Sequence, residues 1–394
     1  MQIYPRKIEK ELLRQLYTRE IIVLTGMRRV GKTTLYQYLF DKIESSNKVF
    51  LDMENPAEQR VFEEEDYNNI WSNLKEYGIG TNERAYIFLD EIQAFPEIAK
   101  PIKYLYDHYP VKFFVTGSSS YYFKNLFPES LAGRKFIFEL FPLTFGEFLI
   151  FKGKLQNLRE KLSDKDSEKN ETRYIKNIKL YEEYIQFGGF PGVVLENEID
   201  NKKRRLEDIF KSYFEKDVKS LADFRDVKTF RDLLFLLMQR VGSKIEITRL
   251  SSELSVSRET IYSYLSFLEG TYFISLVKPF SRNVDREVSG ARKLYLCDTG
   301  IANHFSKLSG GQVFENSVFS NLKGYGKINY YQRRSGAEID FIINEFTGVE
   351  AKLKGVDADL LKLGSLSKDV GLKEFYVVTK EFNQKQGFIP APDL

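Results

Sequence analysis

Gly26-Met27-Arg28-Arg29-Val30-Gly31-Lys32-Thr33, followed by Thr34, is the stretch whose reading decides the fold. Upstream of it, Ile21, Ile22, Val23 and Leu24 read as a buried strand. Downstream, Thr33 to Ile43 puts Leu35, Leu39 and Ile43 on one helical face. A glycine-bearing loop ending in Lys-Thr between a strand and a helix is the Walker A pattern. Main-chain N–H groups close around phosphate oxygens there, and the helix N-terminus adds partial positive charge. Lys32 is expected to reach the β and γ phosphates, and Thr33 to hold magnesium. Gly26, Arg28, Arg29, Val30, Gly31, Lys32, Thr33 and Thr34 form the expected nucleotide-binding set.

Two further strands carry matching chemistry. Tyr86-Ile87-Phe88-Leu89-Asp90-Glu91 is an apolar run ending in two acids. At the carboxyl end of a parallel strand, Asp90 would face the magnesium and Glu91 would orient and polarise the attacking water. Phe113-Phe114-Val115-Thr116-Gly117-Ser118-Ser119-Ser120 ends in small hydroxyl residues. One of Ser118 or Ser119 would bond the γ-phosphate or the water; the competing reading is an ordinary serine-rich turn. Asn201-Lys202-Lys203-Arg204 lacks the acid of a guanine-recognition string, which favours ATP over GTP.

Composition narrows the alternatives. A chain of 394 residues exceeds what one core usually organises. With 33 Phe and 24 Tyr it is rich in residues that suit strands as well as helices, so an α/β protein is expected. The net charge of +3 makes no general case for nucleic acid, so any basic surface must be local. Cys297 is the single cysteine, and His108 and His304 are the only histidines. That excludes an intrachain disulfide and a thiolate zinc cluster, and leaves hard cations on carboxylates and phosphates as the expected metal chemistry. The longest apolar run, Leu233 to Met238, is too short to span a bilayer, and a reducing cytoplasm fits the whole.

Further strands are expected at Lys48 to Asp52, Lys112 to Thr116 and Phe136 to Leu140. Alternation with helices makes the sheet parallel. Lys152 to Lys179 is strongly charged and reads as a solvated helix, an insertion or a mobile linker. Asn201 to Gln239 reads as helical. Ile247 to Glu269 has a helix-turn-helix outline, with Ser257 as cap and Ile261, Tyr262, Leu265 and Leu268 as the core face of its second helix. Tyr272 to Val277 would be a wing or return strand. Strands resume from Lys293 onward, making a second α/β unit. The division expected is a core at 1–150, a helical lid at 151–238, a winged helix at 239–290 and a final domain at 291–394.

The Walker A loop, Asp90-Glu91-Ile92-Gln93, Thr116-Gly117-Ser118-Ser119, Ser130-Leu131-Ala132-Gly133-Arg134 and Phe141-Pro142-Leu143-Thr144-Phe145-Gly146-Glu147-Phe148-Leu149 together resemble the prokaryotic AAA+ ATPases common in archaea and many bacteria. The resemblance implies that Arg134 is an arginine finger, reaching the γ-phosphate of a neighbouring subunit and hence implying a homo-oligomer. It extends along nearly the whole chain, because this class often carries a C-terminal domain similar to the PD-(D/E)XK, restriction-endonuclease-like fold. The matching residues are Glu315, Asp340 and Glu350-Ala351-Lys352. By that resemblance Asp340 and Glu350 hold a divalent cation, Glu315 joins from a helix, and Lys352 positions or activates water. Lys352 and Glu350, two apart on a strand, share a face. A solvated ion pair is the plainer reading, and nuclease-like folds also persist as inactive binding platforms.

Gln332-Arg333-Arg334 would contact a phosphate backbone, or simply be a solvated loop. The helix from Arg258 carries too few donors for DNA reading, which favours packing or an interface. The leading expectation is an ATP-driven switch coupled to DNA binding or processing. Its alternative is a signalling ATPase acting through protein partners, with an inactive nuclease-like docking domain.

Overall fold

The computed structural model describes residues 3–80, 83–120, 133–154, 160–219, 226–281, 287, 290–333 and 335–394. Ser130-Leu131-Ala132 and Arg334 lie outside the described residues, as do parts of the charged stretch and of the expected Asn201–Gln239 helix. The chain forms two units. The first comprises Met1–Phe141, Glu215–Leu221 and Gly270–Tyr272; the second comprises Pro142–Phe214, Ala222–Glu269 and Phe273–Leu394.

In the first unit, β1 (Ile21–Thr25), β2 (Lys48–Asp52), β3 (Ala85–Asp90), β4 (Val111–Gly117) and β5 (Lys135–Glu139) make one sheet in the order β2-β3-β4-β1-β5. Every pairing is parallel. β1, β3 and β4 are buried along their whole length, which explains their unbroken apolar runs: helices cover both faces of a parallel sheet. On one face Ile21, Val23, Leu51, Ile87 and Val115 pack with Ile70, Trp71, Ile102 and Leu105. On the other, Phe88 stacks on Phe114 at 4.3 Å between centroids, and Tyr36 of helix Lys32–Lys42 meets Phe88 edge-on at 5.6 Å. The Tyr36 hydroxyl donates to the Ile22 carbonyl at 3.0 Å, so this large buried ring keeps its polar end satisfied. Because β4 lies between β1 and β3, the loops leaving all three strands emerge side by side at the carboxyl ends of the sheet, where α/β proteins place their ligands.

The second unit begins with helices. The described residues from Asn201 to Gln239 are helical as expected, in separate pieces: Ile199–Ser212, a wide π-type turn at Tyr213–Val218 whose residues from Glu215 onward fall in the first unit, and Val227–Met238. Helices Ile247–Leu254 and Arg258–Gly270 flank Ser255, which takes a left-handed conformation at φ 54°, and the Thr260 N–H donates to the Ser257 Oγ at 3.1 Å. Tyr262 departs from expectation. It is 60% exposed, and Tyr264 and Phe267 complete the buried face with Ile261, Leu265 and Leu268. Both sets have helical spacing, so periodicity could not choose between them.

The charged stretch is also corrected in part. Lys165 and Asp166 are buried: Lys165 Nζ donates to the main-chain oxygens of Asp393 at 2.7 Å and Leu394 at 2.6 Å, and the Gly387 N–H donates to Asp166 at 2.9 Å. Arg173 adds a two-pronged pair with Asp393 at 2.7 and 2.9 Å. Polarity here marks long-range anchoring, which local composition cannot distinguish from solvation.

β6 (Ile274–Val277) and β7 (Lys293–Leu296) form an antiparallel pair. β8 (Ile328–Gln332), β9 (Glu338–Ile343), β10 (Thr347–Lys352), β11 (Glu374–Thr379) and β12 (Phe388–Pro390) form a sheet in the order β12-β11-β10-β9-β8. The first three strands make an antiparallel meander; helix Asp357–Val370 then carries the chain over to β11, parallel to β10. Ile339, Ile342, Leu363, Leu366, Val377 and Phe388 seal that helix onto the sheet. Among the described residues no helix is long and apolar enough to cross a membrane.

Candidate functional site

The loop after β1 has the backbone a phosphate cradle needs. Gly26 takes φ 151°, and a Cβ there would stand 2.1 Å from the Leu140 carbonyl oxygen, so only glycine fits. Arg29 at φ 65° and Gly31 at φ 99° continue the turn into helix Lys32–Lys42. The buried Val30 carbonyl accepts from Arg6 at 2.9 Å, which ties the loop from behind. Lys32 Nζ donates to the carbonyls of Gly26 at 2.9 Å and Met27 at 3.3 Å. Thr34 is half-buried one residue beyond the exposed Thr33.

Thr33, Asp90 and Glu91 meet beside this loop. Thr33 Oγ1 donates to Asp90 Oδ2 at 2.7 Å, and Thr116 donates to the other oxygen of Asp90. An adjacent hydroxyl and carboxylate suit magnesium, a hard cation that takes oxygen ligands and phosphate. Glu91 stands at φ 50°, with its N–H donating to Thr116 Oγ1 at 3.0 Å. Its carboxylate lies 3.8 Å from Lys32 Nζ and 3.7 Å from Arg28 Nη1, and accepts from Gln93.

These contacts set the charges. Burial pulls the Lys32 ammonium below its ordinary pKa despite Glu91 and Asp217. Burial raises Asp90 against its two threonine donors. For Glu91, burial works upward, but Lys32 and Arg28 together hold the carboxyl below its ordinary value, keeping it an acceptor.

Sequence reasoning missed Asp217. It is buried, and its Oδ1 accepts both Arg28 Nε at 3.1 Å and Ser118 Oγ at 2.9 Å. No local pattern marks it, since it lies about a hundred residues beyond Ser118 in a turn with no motif. Ser119 points elsewhere, donating to the Gly270 carbonyl at 3.2 Å. Arg134 lies at the amino end of β5, where its carbonyl accepts from the Ile21 N–H, and pairs with Asp107 at 2.6 and 2.8 Å. That is the opposite end of the strands from the loop of its own chain.

The second unit gathers the other set. Glu315 comes from helix Gly310–Leu322, Asp340 from β9, and Glu350 and Lys352 from β10. Glu350 pairs with Lys352 at 2.8 Å. The unforeseen member is Lys293 on β7. Its buried ammonium lies 3.4 Å from Asp340, 3.5 Å from Glu315 and 3.5 Å from Glu338, and these acids raise its pKa against the effect of burial. Tyr295, two residues on and on the same face, donates to Glu315 at 2.6 Å. Burial first, then Asp340, push Glu315 and Glu350 each up to about 7. A charged residue inside the apolar strand Lys293-Leu294-Tyr295-Leu296 was the available signal. Among the described residues no three acid, His or Cys groups converge as a metal site. Arg333 is committed to an ion pair with Asp369.

Residues 18–149 match the family model of an AAA domain, and residues 178–312 match a domain of unknown function (DUF8612). The chain is 29% identical over 348 residues to an uncharacterized protein of Methanocaldococcus jannaschii, covering 85% of this chain and 75% of that one. An uncharacterized protein of Haemophilus influenzae is 28% identical over 335 residues, covering 82% and 79%. Among solved structures, the Aeropyrum pernix ORC1 protein in complex with DNA aligns at TM-score 0.34 and 13% identity over 77% of this chain and 93% of that one, too weakly to bear on function. The AAA match falls on the unit that carries the glycine loop, the Thr33–Asp90 pair and Glu91, so the matched stretch and the site's geometry coincide in residues 18–149.

Proposed function

We propose that this chain is a magnesium-dependent ATP hydrolase whose nucleotide cycle drives a conformational switch. The observation that carries the reading is the Thr33–Asp90 hydrogen bond at 2.7 Å beside the Gly26–Lys32 loop. In this reading the loop N–H groups and Lys32 hold the β and γ phosphates, Thr33 and Asp90 hold magnesium, and Glu91 orients and polarises the water. Magnesium, when bound, supplies charge neutralisation on the phosphate oxygens. Ser118 serves as the sensor rather than Ser119, because its hydroxyl points toward Arg28's carboxylate partner. Arg134 acts in trans as the finger of a homo-oligomer, in keeping with its distance along the strands from its own loop.

The test is a pair of substitutions. Lys32→Ala is expected to abolish ATP binding, and Glu91→Gln to keep binding while slowing hydrolysis about 100-fold or more. Wild-type turnover in Glu91→Gln would overturn the assignment.

For residues 291–394 we propose a nuclease-like module that docks a partner and does not cut DNA. The order helix, three-strand meander, helix, parallel strand supports the likeness. Lys293 favours docking over cutting. Its ammonium already answers Asp340, Glu315 and Glu338, so charge that a divalent cation would neutralise is in part neutralised by a side chain. We also propose the four-part division at 150, 238 and 290, and a cytoplasmic setting. Incubation with linear and branched DNA in magnesium or manganese discriminates the readings: no cleavage is expected, and cleavage lost in Asp340→Ala would restore the nuclease. Salt-sensitive DNA binding would make DNA, rather than a protein, the docked partner.

A further inference from the structure

Asp217 is a buried carboxylate at the ATPase site, and no part of the hydrolytic assignment above uses it. A buried carboxylate persists only where donors compensate its lost hydration. Both of its donors belong to the phosphate-facing machinery: Arg28 is in the glycine loop, and Ser118 follows β4. Arg28 also reaches Glu91 at 3.7 Å, Gln93 donates to Glu91, and the Ser118 N–H donates to Gln93 Oε1 at 3.3 Å. The contacts close a ring: Asp217, Arg28, Glu91, Gln93, Ser118 and back to Asp217. It joins the three loops at the carboxyl ends of β1, β3 and β4.

A γ-phosphate is recognised by the same donor types that Asp217 holds, a guanidinium and a hydroxyl. Arg28 carries one positive charge, and here it serves Asp217, Glu91 and Glu54. A phosphoryl group that takes the single Ser118 hydroxyl hydrogen must take it from Asp217, and one that draws the Arg28 guanidinium competes with Asp217 for its charge. It would also detach Arg28 from Glu91, leaving that carboxylate freer to face water. An ADP β-phosphate is served by the loop N–H groups and Lys32 and makes no such demand.

We propose that Asp217 competes with the γ-phosphate of ATP for Arg28 and Ser118, and so sets how strongly the site distinguishes ATP from ADP. This rests on the ATPase reading above. It also names the element that responds. Asp217 lies in the wide turn Tyr213–Val218, and π-type turns of this kind recur at functional sites. Glu215–Leu221 belongs to the first unit while the chain on both sides belongs to the second. Displacement of Asp217 therefore moves a segment covalently continuous with the second unit at both ends.

The experiment measures the affinities of the full chain for fluorescent ADP and for a fluorescent β,γ-imido analogue of ATP, with magnesium. Asp217→Asn removes the charge and keeps the shape. The analogue is expected to bind about tenfold more tightly to it, as loss of one competing charge-assisted bond implies, with ADP affinity unchanged. Asp217→Glu, which restores the charge, is expected to return the ratio toward wild type, and thermal unfolding of both variants verifies that they fold. Weaker analogue binding in Asp217→Asn, or equal shifts for both nucleotides, would overturn the competition. If neither nucleotide binds the wild-type chain, the ATPase reading itself fails and this inference goes with it. Normal wild-type binding with an unmoved ratio defeats this inference alone.

Discussion

Gly26 and Lys293 show how much one position can carry. At Gly26 the limit is steric: the approach to the Leu140 carbonyl and the φ of 151° both exclude a Cβ. Gly26→Ala is therefore expected to displace the loop from β5 and lose nucleotide affinity by about 100-fold, with the fold retained by circular dichroism; unchanged affinity in a titration would refute the cradle geometry. At Lys293 the limit is electrostatic. One ammonium answers three carboxylates, and removing it leaves buried acids that must find another cation or take up protons. Lys293→Met is expected to gain manganese binding by isothermal titration calorimetry that Asp340→Ala then abolishes. If the wild-type second unit already binds manganese at this cluster, the docking reading loses its main support.

At the scale of elements, short segments are held by their ends. Helix Phe145–Phe151 opens on a capping box, in which Thr144 and Glu147 exchange side-chain bonds with each other's main chain, and the Phe145 N–H donates to Asn321 at 2.7 Å. Thr144→Ala should cost about 1 kcal/mol in chemical denaturation. A change well below that would mean that Asn321 and the buried Phe145 and Phe148 hold the helix without its cap. The parallel sheet behaves differently. β1, β3 and β4 are protected on both faces, so their identity was plain from unbroken apolar runs. β5 keeps Phe136 and Ile137 exposed at 42% and 49%, and its register begins one residue earlier than its pattern indicates.

On the scale of the whole molecule, two sites occupy two units. Lys32, Thr33, Asp90 and Glu91 belong to the first, while Glu315, Asp340, Glu350 and Lys293 belong to the second. Asp340→Ala should consequently leave basal ATP turnover within about twofold of wild type. A larger fall, in protein that unfolds normally, would show that the second unit's acids govern hydrolysis. The second unit also recruits its charged helices through Lys165, Asp166 and Arg173, whose partners lie more than two hundred residues away in the chain.

Sequence alone determined the glycine loop, the strand ending in Asp90-Glu91, and the αβ alternation around them, because their signals are local: spacing, apolar runs, and acids at strand ends. It also foresaw that Glu350 and Lys352 share a strand face, since a strand's alternation is rigid. Tertiary structure alone decided that Asp217 meets Arg28 and Ser118, that Lys293 sits among the acids, and that Tyr262 faces outward while Tyr264 is buried. In each case the outcome depends on which distant surface supplies a donor or covers a ring. A chain read residue by residue carries no record of those partners until it is folded.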